Sequence, residues 1–122
     1  RLTPETATVA QVMGEQGYSR VQSGKWHLGD VDEAYPIANG FDEMYHMLPY
    51  YAGVYAYPDT NLTPDWPADN PEFMKQWNSF NLGEWEGKAG EPAVKTRDFT
   101  WEDLATVNTE MREKAISWLG DR

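Results

Sequence analysis

Apolar positions recur with a helical period at the two ends of the chain. Val9, Val12 and Met13 fall at i, i+3 and i+4, a single apolar stripe. Thr8, with Gln11 three residues on, fits a capping box, and Gly17 is the residue type that a helix takes just past its end. Residues 1–17 therefore read as a lead-in and a short helix. The next segment, Ser19 to Lys25, reads as a strand that runs into a glycine-flanked loop. A helix feeding a strand, with a loop of chemical interest at the strand's carboxyl end, is an α/β pattern, and open α/β sheets place ligands beyond those strand ends. Near the C-terminus Met111, Ala115, Trp118 and Leu119 make a second stripe. Thr100, with Phe99 stapling to Leu104, or Asn108 serves as its start; Glu110 and Lys114 form an i,i+4 pair, and Gly120 stops it. The stretch 99–122 is read as a packing helix without chemistry of its own.

The middle of the chain breaks this periodicity. Residues 30–50 read as a loop made acidic by Asp30, Asp32 and Glu33, a solvated turn without calcium-loop spacing. Phe41, Met44 and Tyr45 are its packing anchors. From 49 to 98 the chain becomes rich in Tyr, Trp and Pro, with Tyr50, Tyr51, Tyr55 and Tyr57 followed by Pro58, Pro64, Pro67 and Pro71. Asn70 and Pro71 suit the start of a short helix; the rest of this insert reads as loops, either an aromatic wall beside a site or packing against other parts of a protein. Asn61-Leu62-Thr63 fits an N-glycosylation acceptor, which applies only on a eukaryotic secretory route. Three parts result: 1–48, 49–98 and 99–122.

Composition adds a constraint. The net charge is −10 over 122 residues, so nucleic acid and anionic membrane surfaces are excluded as partners. Leu, Ile, Val and Phe supply only 20 of the 122 residues, a fraction that with this charge sits on the disordered side of the composition rule. Six Trp and seven Tyr pull the other way, because large rings bury much area. The expectation is a chain that folds as part of a larger protein. There is no Cys, hence no disulfide and no thiolate metal site. No apolar run is long enough to span a bilayer.

The candidate chemistry lies in Gly24-Lys25-Trp26-His27-Leu28-Gly29. In an extended chain Lys25 and His27 point the same way and Trp26 the opposite way. Gly24 and Gly29 leave room for a ligand or another backbone to approach. A Lys and a His converging beside glycine suit an oxyanion, with Lys as a point charge and His as hydrogen-bond donor or proton carrier. The same spacing also fits a strand end with a solvated Lys and a satisfied His.

This stretch resembles the second signature of the sulfatase family: Gly17-Tyr18, a short strand, then Gly24-Lys25-Trp26-His27-Leu28-Gly29, in the same order and spacing. The flanks agree. Thr8-Val9-Ala10 is similar to the start of the family's preceding helix, Pro36 with Gly40-Phe41-Asp42-Glu43 to its next block, and 106–119 to the helix ahead of a later core strand. His46 departs from the pattern, since the family usually has Gly close by. The local backbone is expected to differ there, with His46 as a surface or packing residue or, alternatively, a second imidazole in the site.

The resemblance implies part of an alkaline-phosphatase/sulfatase-like α/β core and of a sulfuric ester hydrolase. Lys25 would neutralise charge on the sulfuryl oxygens, and His27 would hydrogen-bond or deprotonate the hydroxyl of a formylglycine. Trp26 is a further candidate for substrate contact. The family's formylglycine arises from Cys or Ser in Cys-x-Pro-x-Arg, and its calcium is held by Asp and Asn; neither motif is recognisable here, so both cofactors are expected in the full-length enzyme and neither on this chain's own residues. The implied partners are a sulfate ester and the remainder of the sulfatase domain, and the implied compartment is periplasmic, secreted or lysosomal. The chain alone is expected to be inactive. Two alternatives stand beside this reading, a phosphonate monoester or phosphodiester hydrolase of the same superfamily and a non-catalytic acidic, aromatic-rich binding module.

Overall fold

A computed structural model describes residues 2–3, 5–29, 31–48, 71–72, 75, 83–99 and 102–122. The readings that rest on Asp30, Asn61, Asn70, Thr100 and the tyrosines from Tyr50 to Tyr57 fall outside these residues. Pro71, Glu72 and Lys75 have helical backbone, in line with a helix starting at Pro71.

Helix α1 is Val9–Glu15. Its capping box is complete: the Gln11 amide donates to the Thr8 hydroxyl at 3.1 Å, and the Thr8 amide donates to the Gln11 side chain at 2.8 Å. The apolar stripe, however, does not face a core. Val9 and Val12 are 73% and 51% exposed, and Ala10 is the buried residue of the helix. Polar contacts turn the helix this way. The Thr8 hydroxyl donates to the Asn39 carbonyl at 2.8 Å, and the Arg20 guanidinium donates to the Ala10 carbonyl at 3.2 Å. Arg20 in turn holds Asp42 through its backbone amide at 2.8 Å and its Nε at 3.0 Å. That guanidinium keeps the Asp42 carboxyl below its ordinary pKa.

Four strands form one sheet in the order β1-β2-β3-β4, with β1 at Val21–Lys25, β2 at Glu43–Leu48, β3 at Gly83–Lys88 and β4 at Val94–Asp98. β1 and β2 are parallel; β3 and β4 add antiparallel. The segment 83–98, read from sequence as loop, is thus a hairpin. Its alternation was masked by charged residues at nearly every other position, because an antiparallel ladder at a sheet edge tolerates polar side chains where a parallel one does not. The connection from β1 to β2 carries two short 3-10 turns, Asp32–Ala34 and Pro36–Ala38. Asp32 and Glu33 are exposed, as a solvated turn requires.

One face of the sheet carries the apolar core. Tyr35, Met44 and Met47 are buried together, and Trp26, Ile37, Trp85 and Ala93 pack around them. Met44 and Met47 are both 0% exposed, and burying a side chain of that size contributes about 1.5–3 kcal/mol. The Arg20–Asp42 pair is more exposed, and pairs of that kind contribute about 0–1 kcal/mol. The methionine cluster therefore outweighs the ion pair in holding the sheet to its loop.

Helix α2, Val107–Gly120, covers the other face after a short 3-10 turn at Glu102–Ala105. Its packed side runs Val107, Met111, Lys114 and Trp118, which differs from the expected stripe: Ala115 is exposed and Leu119 is 66% exposed. Gly120 ends the helix as its last residue, with Asp121 as the cap. Lys114 does not pair with Glu110 but lies over the Tyr45 ring, its Nζ 4.0 Å from the centroid. Glu43 anchors the far end: it accepts from the Tyr45 hydroxyl, from the Trp118 indole at 3.1 Å and from the Arg122 guanidinium.

The Glu43 carboxylate and burial push the Tyr45 phenol up to about 12. A raised phenol pKa stabilises the fold fully below the ordinary value near 10.0, and this contribution is lost as pH rises through about 12. Tyr45→Phe is expected to remove a phenol that titrates near 12 from an ultraviolet absorbance titration and to flatten the alkaline loss of stability.

Candidate active site

The parallel strands β1 and β2 end on the same side of the sheet, where β3 begins and β4 ends. The loop that starts at Lys25 therefore emerges at the carboxyl end of a parallel pair, the edge where α/β sheets bind ligands. Lys25 is the last residue of β1 and its side chain is exposed; His27 is exposed as well. Between them the Trp26 amide donates to the Leu48 carbonyl at 2.9 Å, which ties the loop to the end of β2.

The backbone then leaves the strand. His27 has φ +60°, so the face alternation that placed Lys25 and His27 together stops before His27. The two residues are brought to one exposed loop by a turn, not by an extended strand. Trp26 faces inward: its ring packs on the core, meets Phe41 edge-on with centroids 5.8 Å apart, and donates its indole N–H to the Ala34 carbonyl at 2.6 Å. The flanking glycines serve different purposes. Gly29, at φ +146°, would place a Cβ 2.4 Å from the Ala34 methyl, so its small size lets the loop fold back on its own 3-10 turn. Gly24, at φ +93°, leaves ordinary van der Waals room for Met111 of α2. Both glycines are taken up by this chain's own packing.

On the α2 face lies a cluster of charges around His46, in which Glu84 and Arg97 carry no signal of their own in the sequence. Glu84 of β3 has a side chain 4% exposed. His46 meets one of its oxygens at 2.8 Å, and Arg97 of β4 meets the other through Nη2 at 2.8 Å and Nε at 3.1 Å. The same Arg97 reaches Glu110 of α2 at 2.6 Å and Asp103 at 3.3 Å. His46, Glu84 and Glu110 bring donor atoms within 4.8 Å of one another, the one group of three or more such ligands among the described residues. Arg97, however, already holds both carboxylates of that group. The signal for these residues was the Lys88-Ala89-Gly90-Glu91 turn, which sets Glu84 across from Arg97 in the hairpin register. The terminal helix is thus more than a packing element, since its Glu110 joins this network. The Thr106 hydroxyl and then Arg97 hold Glu110 below its ordinary pKa.

No family model matches the chain. Parts of it align with curated proteins: 37% identity over 67 residues with an uncharacterized sulfatase of Schizosaccharomyces pombe, covering 54% of this chain and 12% of that protein. An arylsulfatase of Hemicentrotus pulcherrimus is 39% identical over 66 residues, covering 49% and 12%, and one of Klebsiella aerogenes 38% identical over 48 residues, covering 39% and 10%. The fold superposes on the crystal structure of the PsFucS1 sulfatase from Pseudoalteromonas sp. with a TM-score of 0.66, over 92% of this chain and 23% of that one, at 19% identity. Over about half of its length the chain is thus similar in sequence to sulfatases, and it shares the fold of one. Its aligned stretches span no more than 12% of those curated sulfatases. The α/β class and the sulfatase-like core expected from the sequence agree with this neighbour. Among the described residues, no helix is long and apolar enough to cross a membrane.

The chain separates an exposed loop from a buried support. Lys25→Ala is expected to change stability by less than about 0.5 kcal/mol, as surface substitutions do. Arg97→Ala strips the guanidinium from buried Glu84 and is expected to cost about 3 kcal/mol. Urea denaturation of both variants checks the contrast. Because Glu110 has a lowered pKa, its contribution is present above the ordinary carboxyl value and is lost as pH falls through the lowered one.

Proposed function

We propose that this segment supplies two sulfate-binding residues, Lys25 and His27, to a sulfuric ester hydrolase. The observation that carries the reading is the element Gly24-Lys25-Trp26-His27-Leu28-Gly29, set in an exposed loop at the carboxyl end of a parallel strand pair. The sulfatase relatives described above support it.

The chemistry suits the residues. Transfer of a sulfuryl group spreads negative charge over its non-bridging oxygens, and a fixed cation nearby lowers the barrier by stabilising that charge. Lys25 offers a compact ammonium on a flexible stem that reaches out from the strand end. His27 offers an imidazole that donates a hydrogen bond or carries a proton near neutral pH. Trp26 enters the site indirectly: its packed ring fixes the backbone between the two.

Formylglycine and calcium are the groups the family reading brings with it. Formylglycine would supply a hydroxyl nucleophile and calcium a Lewis acid. The chain's own residues fit neither. It contains no Cys and no Ser-x-Pro-x-Arg. Among its described residues, the one cluster of metal-capable side chains is already held by Arg97, a poor setting for a doubly charged cation. Lys25 and His27 would therefore act on a nucleophile and a metal provided by other parts of the enzyme.

The test uses the full-length parent protein. Lys25→Ala and His27→Ala are each expected to lower kcat/KM for an aryl sulfate by about 10²–10³-fold, with the melting temperature of Lys25→Ala unchanged. Retention of full aryl sulfate turnover by both variants would overturn the assignment.

A further inference from the structure

We propose that His46 is a positioning residue for the Lys25–His27 loop, acting through a β-bulge that Glu84 holds in place. The proposal takes the role of that loop from the sulfatase reading; the anchoring of the loop stands on the geometry of β2.

The register shows where the bulge lies. Ser23 of β1 pairs with Tyr45, but the next residue, Gly24, pairs with Met47 and Lys25 with Leu48. His46 is skipped. The pairing of β2 with β3 shifts across the same interval, between Met44 and Met47. His46 has φ +49°, a left-handed conformation uncommon for any residue but Gly, although His, like Asn and Asp, takes it more readily than other side chains. A glycine would take it freely; a histidine takes it at a modest cost, which a well-placed partner for its ring can offset.

Glu84 supplies that partner. His46 Nδ1 lies 2.8 Å from Glu84, whose side chain is 4% exposed. Glu84 is fixed in turn by two nitrogens of Arg97, and Arg97 by Glu110 of α2 and by Asp103. The imidazole thus pins the bulge to β3, β4 and α2 together. Directly beyond it, the Trp26 amide donates to the Leu48 carbonyl, the last strand-to-strand bond before His27. Without the extra residue, every position after it in β2 would change face. Met47 and Leu48, 0% and 2% exposed, could not both keep their places, and the end of β1 that carries Lys25 would lose its partner. The chain of cause runs from Arg97 through Glu84 and His46 to the bulge, and from the bulge to the loop.

The test is residue-resolved amide hydrogen exchange on the full-length parent protein, which needs neither substrate nor turnover. His46→Ala keeps the demand for a left-handed residue and removes the anchor; Trp26 amide protection is expected to fall about tenfold or more, while the β3–β4 hairpin stays protected. His46→Gly is expected to restore Trp26 protection, since glycine adopts the conformation unaided. A second arm decides the matter if the alanine variant fails to fold. Glu84→Gln is expected to lower Trp26 protection in the His46 background and to leave it unchanged in the His46→Gly background. Equal effects of Glu84→Gln in both backgrounds, or no loss at Trp26 in His46→Ala, would overturn the proposal. Failure of the sulfatase reading would instead show in catalysis by the Lys25 and His27 variants, with the exchange pattern intact.

Discussion

Met44 and Met47 lie three residues apart in one strand, and both are fully buried in one cluster. A regular strand would send them to opposite faces. The extra residue between them resolves the conflict, and most of the structure depends on it. It lets Met44 and Met47 share the face with Tyr35 and Trp85. It sets Tyr45 and Glu84 on the opposite face under α2. It also fixes which β2 residue stands across from Lys25.

The two faces have different chemistry for this reason. The methionine face is apolar and closed by the loop that follows Trp26, so the residue between the two candidate site groups is also a core residue. The α2 face buries Val107 and half-buries Met111 but is otherwise held by guanidinium–carboxylate and tyrosine–carboxylate contacts. Partly buried contacts of this kind are worth less than well-packed apolar ones when replaced as a set, but breaking one partner alone is costly. Such a face supports geometry more than it adds net stability. A strand end that must hold an exposed cation and imidazole in place needs that kind of support.

Much of the first twenty-nine residues was legible because local signals dominate there, whereas the strand Glu43–Leu48, read from sequence as part of a loop over 30–50, was not. The capping box at Thr8 and Gln11, the strand ending at Lys25 and the glycine-flanked loop each follow from a few neighbouring residues. Long-range contacts decided what was not legible. The α1 stripe faces outward because Arg20 and Asn39 bind the other side of the helix. The α2 stripe is rotated because Lys114 finds Tyr45 and Glu110 finds Arg97, partners distant in sequence. The hairpin at 83–98 was hidden because its alternating positions are charged, and only the folded register shows that Glu84 and Arg97 are a pair. His46 stood out in sequence as a departure from glycine. The structure gives His46 a left-handed backbone and a buried partner, Glu84, neither of which the local sequence signals.

The central claim is that Lys25 and His27 serve a nucleophile carried by another part of the same protein. Reading the coding sequence on both sides of this segment tests it most directly. The account predicts a Cys- or Ser-x-Pro-x-Arg motif encoded upstream of Arg1 in the same reading frame. An open reading frame that starts immediately before Arg1 and stops immediately after Arg122 would contradict it, because Lys25 and His27 would then have no nucleophile to serve.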